Sequence, residues 1–313
     1  MWSLLFSMLF VSILGKKAQP VLLEVNQRQG CKHSSAAIIR LAIWFQFYYQ
    51  AVWSKAMAFH GKVALITGGA SGMGRVAALK LANEGAKVAI VDVNDEALAT
   101  VSAEHPNLTP FKCDTSDLEQ VRKLVADVEQ TVGPIDRLTQ CAAIMPGQSI
   151  KAMSPELTNK MMAINYGGTV NMVSTVWPLM EARGSGDIII FGSMAGDVLT
   201  HNLGGYSATK SATNTWAEVL HHENKDTPLR FLLVCPPMVN TPLVQQAVEH
   251  GPESIKTAGE DMMATPEFII DEAEKALEKG DWVVRPGSAK WMVRMRRYFP
   301  RTLWKIMEKA NKA

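Results

Sequence analysis

Tyr206 and Lys210 stand at i and i+4 in Gly205-Tyr206-Ser207-Ala208-Thr209-Lys210, and Ser193 precedes them after an apolar run. On a helix those two positions share a face, so the spacing holds a phenol beside an ammonium group. A phenol with an ordinary pKa of about 10 is a poor base at neutral pH, and an adjacent fixed cation stabilises its anion. The expectation is a phenol of lowered pKa that exchanges a proton with a bound molecule. Ser193 closes Gly186-Asp187-Ile188-Ile189-Ile190-Phe191-Gly192-Ser193, an apolar stretch of strand length ending in small residues. In an open parallel sheet, ligands sit beyond the carboxyl ends of the strands, where this reading puts the Ser193 hydroxyl. Taken one at a time, the same residues also read as a solvated helix pair and a turn serine. Their weight comes from the rest of the chain.

The elements that must position them begin at Lys62-Val63-Ala64-Leu65-Ile66, which reads as a buried strand. Thr67-Gly68-Gly69-Ala70-Ser71-Gly72-Met73-Gly74 follows, then a helical pattern from Arg75 to Ala82. A strand, a glycine turn and a helix together bring backbone amides and a positive dipole end toward a pyrophosphate. The next strand, Lys87 to Val91, ends at Asp92, whose carboxylate can accept bonds from ribose hydroxyls. That favours NAD, because a 2′-phosphate would meet a like charge there, and Val93 offers no cation. Arg75 reads as a solvated residue of the first helical turn. Cys113-Asp114-Thr115 reads as the end of a third strand near the adenine, with Asp114 as a helix N-cap the competing reading.

With these residues in this order, the chain resembles the short-chain dehydrogenase/reductase family, from about residue 60 to about residue 287. Thr67-Gly68-x-x-x-Gly72-x-Gly74 is similar to the family's cofactor loop, Tyr206-x-x-x-Lys210 with Ser193 to its active site, and Asn165 to the asparagine of its tetrad. The resemblance implies that Tyr206 exchanges the proton, Lys210 lowers its pKa and binds the nicotinamide ribose, Ser193 orients the substrate oxygen, and Asn165 holds a water linking Lys210 to solvent. It marks Gly68, Ser71, Gly72, Met73, Gly74, Asp92, Asp114, Thr115, Ala142, Val239 and Thr241, with Tyr206 and Lys210, as cofactor contacts. It also implies a homodimer or homotetramer. Two segments depart from the family pattern. Gln140-Cys141-Ala142-Ala143 stands where the family commonly has Asn-Asn-Ala-Gly, and Pro237 follows Pro236 where a glycine is usual.

Alternating strand and helix patterns from Lys62 to Val234 predict an α/β fold, a doubly wound parallel sheet of Rossmann type in a single domain with an N-terminal extension. The divisions are 1–56 for the extension, 57–289 for the catalytic domain and 290–313 for a basic C-terminal segment. At 313 residues, 47% hydrophobic and 20% charged, the chain can bury a large core. A net charge of +2 gives no sign of nucleic-acid binding. Cys31, Cys113, Cys141 and Cys235 are scattered and read as reduced core residues. His221 and His222, adjacent on a helix, should point apart, and no metal is expected. His201 reads as a surface-loop histidine, with substrate contact the alternative. Leu243, Val244, Met262 and Met263 on a lid, with Met145 and Met194, suggest an apolar, adaptable pocket.

The ends read differently. Trp2 to Leu14 is apolar, yet thirteen helical residues span roughly 20 Å, short of a hydrocarbon core of roughly 30 Å. It lacks a basic leader and a cleavage site, so a secretory signal is not expected. Residues 36–53 form an aromatic stretch suited to an interface, and Met57 looks like a natural domain start. From Lys290 to Ala313, aromatic and aliphatic residues alternate with eight Lys or Arg and one acid. That pattern fits either a helical arm near the substrate cleft or a basic amphipathic segment on an anionic membrane, interrupted at Pro300. The expectation is a cytoplasmic oxidoreductase, possible peripheral membrane contact included, that interconverts an apolar alcohol and its carbonyl with NAD, or less favourably NADP. A dinucleotide-binding sensor or scaffold is the rival reading.

Overall fold

The strands alternate cleanly between two cores. Ala64 and Ile66 of β1 (Val63–Thr67) face one core, and Val63 and Leu65 face the other. The same parity holds in β2 (Lys87–Asp92), β5 (Gly186–Phe191) and β6 (Leu229–Val234), where successive residues such as Ile188 and Ile189 go to opposite faces. A strand apolar on both faces must be covered on both, which demands helices above and below a parallel sheet.

A computed structural model describes Phe59 and residues 61–248, 251–252 and 263–311. The readings made for residues 1–56, the Met57 start, Cys31 and Met262 lie outside the described residues. With β3 (Leu108–Lys112), β4 (Arg137–Gln140) and β7 (Val283–Val284), the seven strands pair in parallel in the order β3-β2-β1-β4-β5-β6-β7. The order reverses between β1 and β4, which opens a crevice at their carboxyl ends. The predicted doubly wound Rossmann-type sheet is therefore present.

The helices are α1 (Gly72–Asn83), α2 (Asp95–Ser102), α3 (Leu118–Thr131), α4 (Pro155–Met162), α5 (Gly168–Arg183), α6 (Gly204–Glu223), α7 (Pro242–Val248), α8 (Pro266–Lys279), α9 (Ala289–Tyr298) and α10 (Pro300–Ala310). Residues of α1, α2 and α8 fill the first core, and those of α3, α5 and α6 the second. The third strand stops just before Cys113, and the N-cap of α3 is Asp117, which accepts from Glu119 N at 2.9 Å and Gln120 N at 3.2 Å. Asp114 is thus not the cap. Its Oδ1 accepts from the amide and hydroxyl of Ser116 at 2.9 and 2.7 Å. Between α4 and α5, Ala163–Gly167 form a π-helical turn, and a 3-10 turn, Met194–Gly196, follows β5.

At the far edge of the sheet, Pro110 lies in β3, which pairs only with β2. Cys113, Cys141 and Cys235 carry no disulfide, and Cys113 and Cys235 are buried, as read for core thiols. His221 and His222 correct the expectation that they diverge. Both rings pack on Trp282, at 5.3 and 5.2 Å, and lie 5.1 Å from each other, because a large ring just before β7 bridges the angle between neighbouring helix positions.

Candidate active site

The crevice starts at the glycine turn. Gly68 and Gly72 hold φ of +63° and +49°, a region that favours glycine. A Cβ on Gly74 would stand 2.2 Å from the Gly68 carbonyl oxygen, so only glycine lets α1 begin this close to the end of β1. A Cβ on Gly68 would meet Ala142 N at 3.0 Å and one on Gly72 would meet Thr241 Cγ2 at 3.2 Å. The turn, the exit of β4 and the loop after β6 therefore converge. Ser71, the N-cap of α1, makes no side-chain capping bond, which leaves its hydroxyl and the first helical amides facing outward, while Met73 anchors the helix in the first core.

Asp92 ends β2, and its Oδ1 accepts from Val93 N at 2.8 Å and Asn94 N at 3.2 Å. Beside it, Ala70, Arg75, Asn94 and Ala97 border a cavity of about 490 Å³. The Arg75 guanidinium pairs with Glu104, with Nε to Oε1 at 3.0 Å, and its side chain, 41% exposed, stays solvated in the first helical turn as its sequence position suggests. Thr115 is buried, and a Cβ on Gly168 would lie 2.6 Å from its Oγ1, so this threonine joins the exit of β3 to the start of α5. These features fit a dinucleotide: a close-approach glycine cradle, an uncapped helix start and a carboxylate at the second strand end.

Gln140 explains how the chain tolerates its departure from Asn-Asn-Ala-Gly. Thr67 Oγ1 donates to Gln140 Oε1 at 2.6 Å and accepts from the amides of Cys141 and Ala142 at 3.2 and 3.1 Å. One threonine hydroxyl thus ties the end of β1 to the exit of β4. After β6, Pro236 O accepts from Met194 N at 3.0 Å, Val239 bridges to Ala264, and Thr241 is buried with its hydroxyl 3.4 Å from Val239 O.

Ser193, Tyr206 and Lys210 come together at the carboxyl end of β5, and all three are buried. Ser193 caps the 3-10 turn, its Oγ accepting from Ala195 N at 3.0 Å, and its side chain also favours the Tyr206 anion. Lys210 Nζ donates to Phe191 O at 2.7 Å and lies 6.0 Å from the centroid of the Tyr206 ring. The spacing places lysine beside tyrosine as expected, but the charges respond otherwise. Burial pushes the Tyr206 phenol up to about 12, and burial lowers Lys210 to about 8. Desolvation disfavours both charged forms, and it outweighs the Ser193 hydrogen bond that favours the phenolate and the Cys141 and Cys235 thiols that favour the ammonium.

Asn165, fully buried in the π turn, spends its side chain on protein. Its Oδ1 accepts from Ile144 N at 2.8 Å, and its Nδ2 donates to Ile144 O at 2.9 Å and to Thr209 Oγ1 at 3.0 Å. The amide clamps the loop after β4 to α6. Asn214, which sequence reasoning did not single out, does the same for Ser193: its Oδ1 accepts from Ser193 N at 3.3 Å and its Nδ2 donates to Ser193 O at 3.0 Å. Gly192 and Gly196 make room for it, since a Cβ on either would lie 2.0 Å and 2.5 Å from that amide. The available signal was a polar residue at i+4 from Lys210 on a buried helix face.

An apolar cluster surrounds the phenol. Met145, Met153, Met161, Leu203, Val244 and Ala247 pack with Tyr206, and Leu243 and Met263 lie against them. Of the suggested pocket residues, Met194 stands apart in the 3-10 turn. His201 is exposed, as read for a surface-loop histidine, and it stacks on Trp304 of α10 with centroids 5.4 Å apart.

Comparison with known proteins agrees with this architecture. The family of short chain dehydrogenases matches residues 62–251, more than half of the chain. A 2,3-dihydro-2,3-dihydroxybenzoate dehydrogenase from Bacillus subtilis is 31% identical over 206 residues, 64% of this chain and 79% of that protein. A short chain dehydrogenase/reductase from Burkholderia phymatum, solved in complex with NAD, superposes with a TM-score of 0.71 at 23% identity, covering 80% of this chain and 97% of the other. A short chain dehydrogenase from Burkholderia cenocepacia, solved with NADP, gives 0.67 at 24% identity, covering 79% and 97%. The glycine turn, the sheet order and these likenesses agree, and the chain belongs to the short-chain dehydrogenase/reductase family of oxidoreductases.

Proposed function

We propose that this oxidoreductase interconverts an apolar alcohol and its carbonyl, with NAD preferred and Tyr206 as the proton donor and acceptor, in a catalytic unit spanning residues 57–289. The observation that carries the reading is the buried Tyr206 phenol set between Ser193 and an apolar wall that includes Met145, Met153 and Val244. When bound along Gly68, Ser71, Gly72, Met73, Gly74 and Asp92, with Ala142, Val239 and Thr241 toward the nicotinamide, NAD supplies the hydride acceptor or donor.

Ser193 Oγ holds the substrate oxygen, and Tyr206 Oη, beside it, moves the proton to or from that oxygen. Burial excludes water, so the phenol stays protonated near neutral pH and serves as an acid for carbonyl reduction. Lys210, lowered to about 8, carries its proton at neutral pH yet releases it readily, which suits a group that recharges the phenol. Asn165 and Asn214 keep the loop after β4 and the Ser193 backbone in place, so substrate and phenol meet in fixed geometry. NAD is favoured because Asp92 bears a carboxylate at the ribose position while Arg75 is held by Glu104.

The test is turnover with NAD and NADP across apolar alcohols and ketones, with Tyr206→Phe alongside. Loss of an acid–base group should lower kcat by about 10²–10⁴ while dinucleotide binding persists. Equal turnover in the variant, or binding without turnover on a broad panel, would sink the proposal.

A further inference from the structure

The C-terminal helices present a face that nothing in the described structure covers. On α9, Trp291, Met295 and Tyr298 form a row at i, i+4 and i+7, and Lys290, Arg294 and Arg297 form the row beside it. All six are exposed, Trp291 and Tyr298 at 69%. The helix ends at Phe299, itself 64% exposed, and α10 starts at Pro300, where the missing amide proton costs nothing. On α10, Arg301, Lys305 and Lys309 form a third row at i, i+4 and i+8, with Ile306 exposed next to it.

The inner side of this hairpin is already satisfied. Leu303 is buried, Trp304 stacks on His201, and Asn311 Nδ2 lies 3.1 Å from Thr200 Oγ1 and 3.3 Å from His201 Nδ1. Among the described residues, no ion pair engages any Lys or Arg of α9 or α10; Arg294 lies only over the Trp291 ring, at 5.4 Å. Between the helices and Leu199 is a cavity of about 290 Å³ bordered by Arg296 and Arg301, with no carboxylate on its rim.

We propose that the outer face of α9 and α10 docks on an anionic lipid bilayer. Aromatic rings and aliphatic side chains beside rows of cations are what a helix lying in the headgroup region requires. A second copy of the chain is a poorer occupant: a self-complementary contact would press these like-charged rows together. Nothing here crosses the bilayer, because no helix among the described residues is long and apolar enough. The same hairpin holds Thr200 and His201, in the segment leading into Tyr206, so docking brings the catalytic cluster near the bilayer surface.

The full chain should float with vesicles of phosphatidylcholine containing about 30% phosphatidylserine and not with pure phosphatidylcholine, losing binding as salt rises. The triple substitution Arg294→Ala, Arg297→Ala, Arg301→Ala should weaken partitioning by about tenfold to a hundredfold. Tyr298→Ser with Phe299→Ser should weaken it without changing the salt dependence. Circular dichroism and dinucleotide binding should be unaltered in both variants. Flotation that the variants leave unchanged would place membrane binding elsewhere and overturn the proposal. So would a change of oligomeric state in the variants without a change in flotation, or binding of duplex nucleic acid in place of vesicles. Flotation needs no turnover, so this result stands or falls apart from the proposed reaction.

Discussion

Two cations are buried at opposite ends of the same sheet, and their surroundings differ in kind. At the amino-terminal ends of the strands, the Arg137 side chain is 1% exposed and fully engaged. Its Nε and Nη2 donate to Asp187 Oδ2 at 3.1 and 2.8 Å, its Nη1 to Glu274 Oε1 at 2.6 Å, and the Phe59 ring lies 4.6 Å below. Asp187 accepts a further bond from Arg230 at 2.7 Å. At the carboxyl-terminal end, Lys210 has the Phe191 carbonyl and, among the described residues, no carboxylate. Removing one partner of a buried ion pair strands the other charge, whereas a buried cation without a counterion is poised to change its charge. Burial alone does not distinguish the two; the partner does.

The largest effect expected is on turnover. Lys210→Met should lower kcat by about 10²–10⁴, as for loss of an acid–base partner, while global stability changes by less than about 2 kcal/mol, because no opposite charge is stranded. Steady-state kinetics and urea unfolding on one preparation would show both. Arg137→Met should do the reverse, costing about 3–5 kcal/mol by stripping part-buried Glu274 of its cation and leaving Asp187 to Arg230, with kcat of the folded fraction little changed. If Lys210→Met proved as destabilising as Arg137→Met, the contrast would be broken.

A smaller effect sharpens it. Lys210 drops to about 8 in the folded chain from its ordinary 10.5, so at higher pH the folded state loses that proton first. The unfolded chain then binds more protons, and stability rises with pH between about 8 and about 10. Above that window the raised Tyr206 works the other way, since the unfolded phenol ionises first. Measured against Lys210→Met, wild type should gain about 2 kcal/mol from pH 8 to pH 10. A flat difference would mean that Lys210 keeps its charge through another partner.

What was legible in the sequence follows from locality. The glycine turn could be read because backbone geometry at Gly68, Gly72 and Gly74 admits almost no other residue, and β1 and β2 because both faces are apolar. The Tyr206–Lys210 face follows from helical spacing, and the break at Pro300 from proline chemistry. The response of those side chains did not, because desolvation depends on what several distant segments pack around them. Arg137 meets Asp187 only through the β4–β5 register, and Arg75 meets Glu104 only after α1 and α2 are in place. Trp282 drawing His221 and His222 together, and α10 settling on His201, are tertiary events with no local signature.

Pro110 limits how copies of this chain can meet. Asn107 O accepts from Val88 N and Cys113 N donates to Asp92 O, so by alternation Pro110 turns its backbone to the open side of β3. The hydrogen that an incoming strand would need there is missing. At the opposite edge β7 is two residues long, with Trp282 O and Val284 O already bonded to β6, which leaves Val283 alone facing outward. Neither border offers another strand a continuous ladder, so strand addition at these two edges is disfavoured.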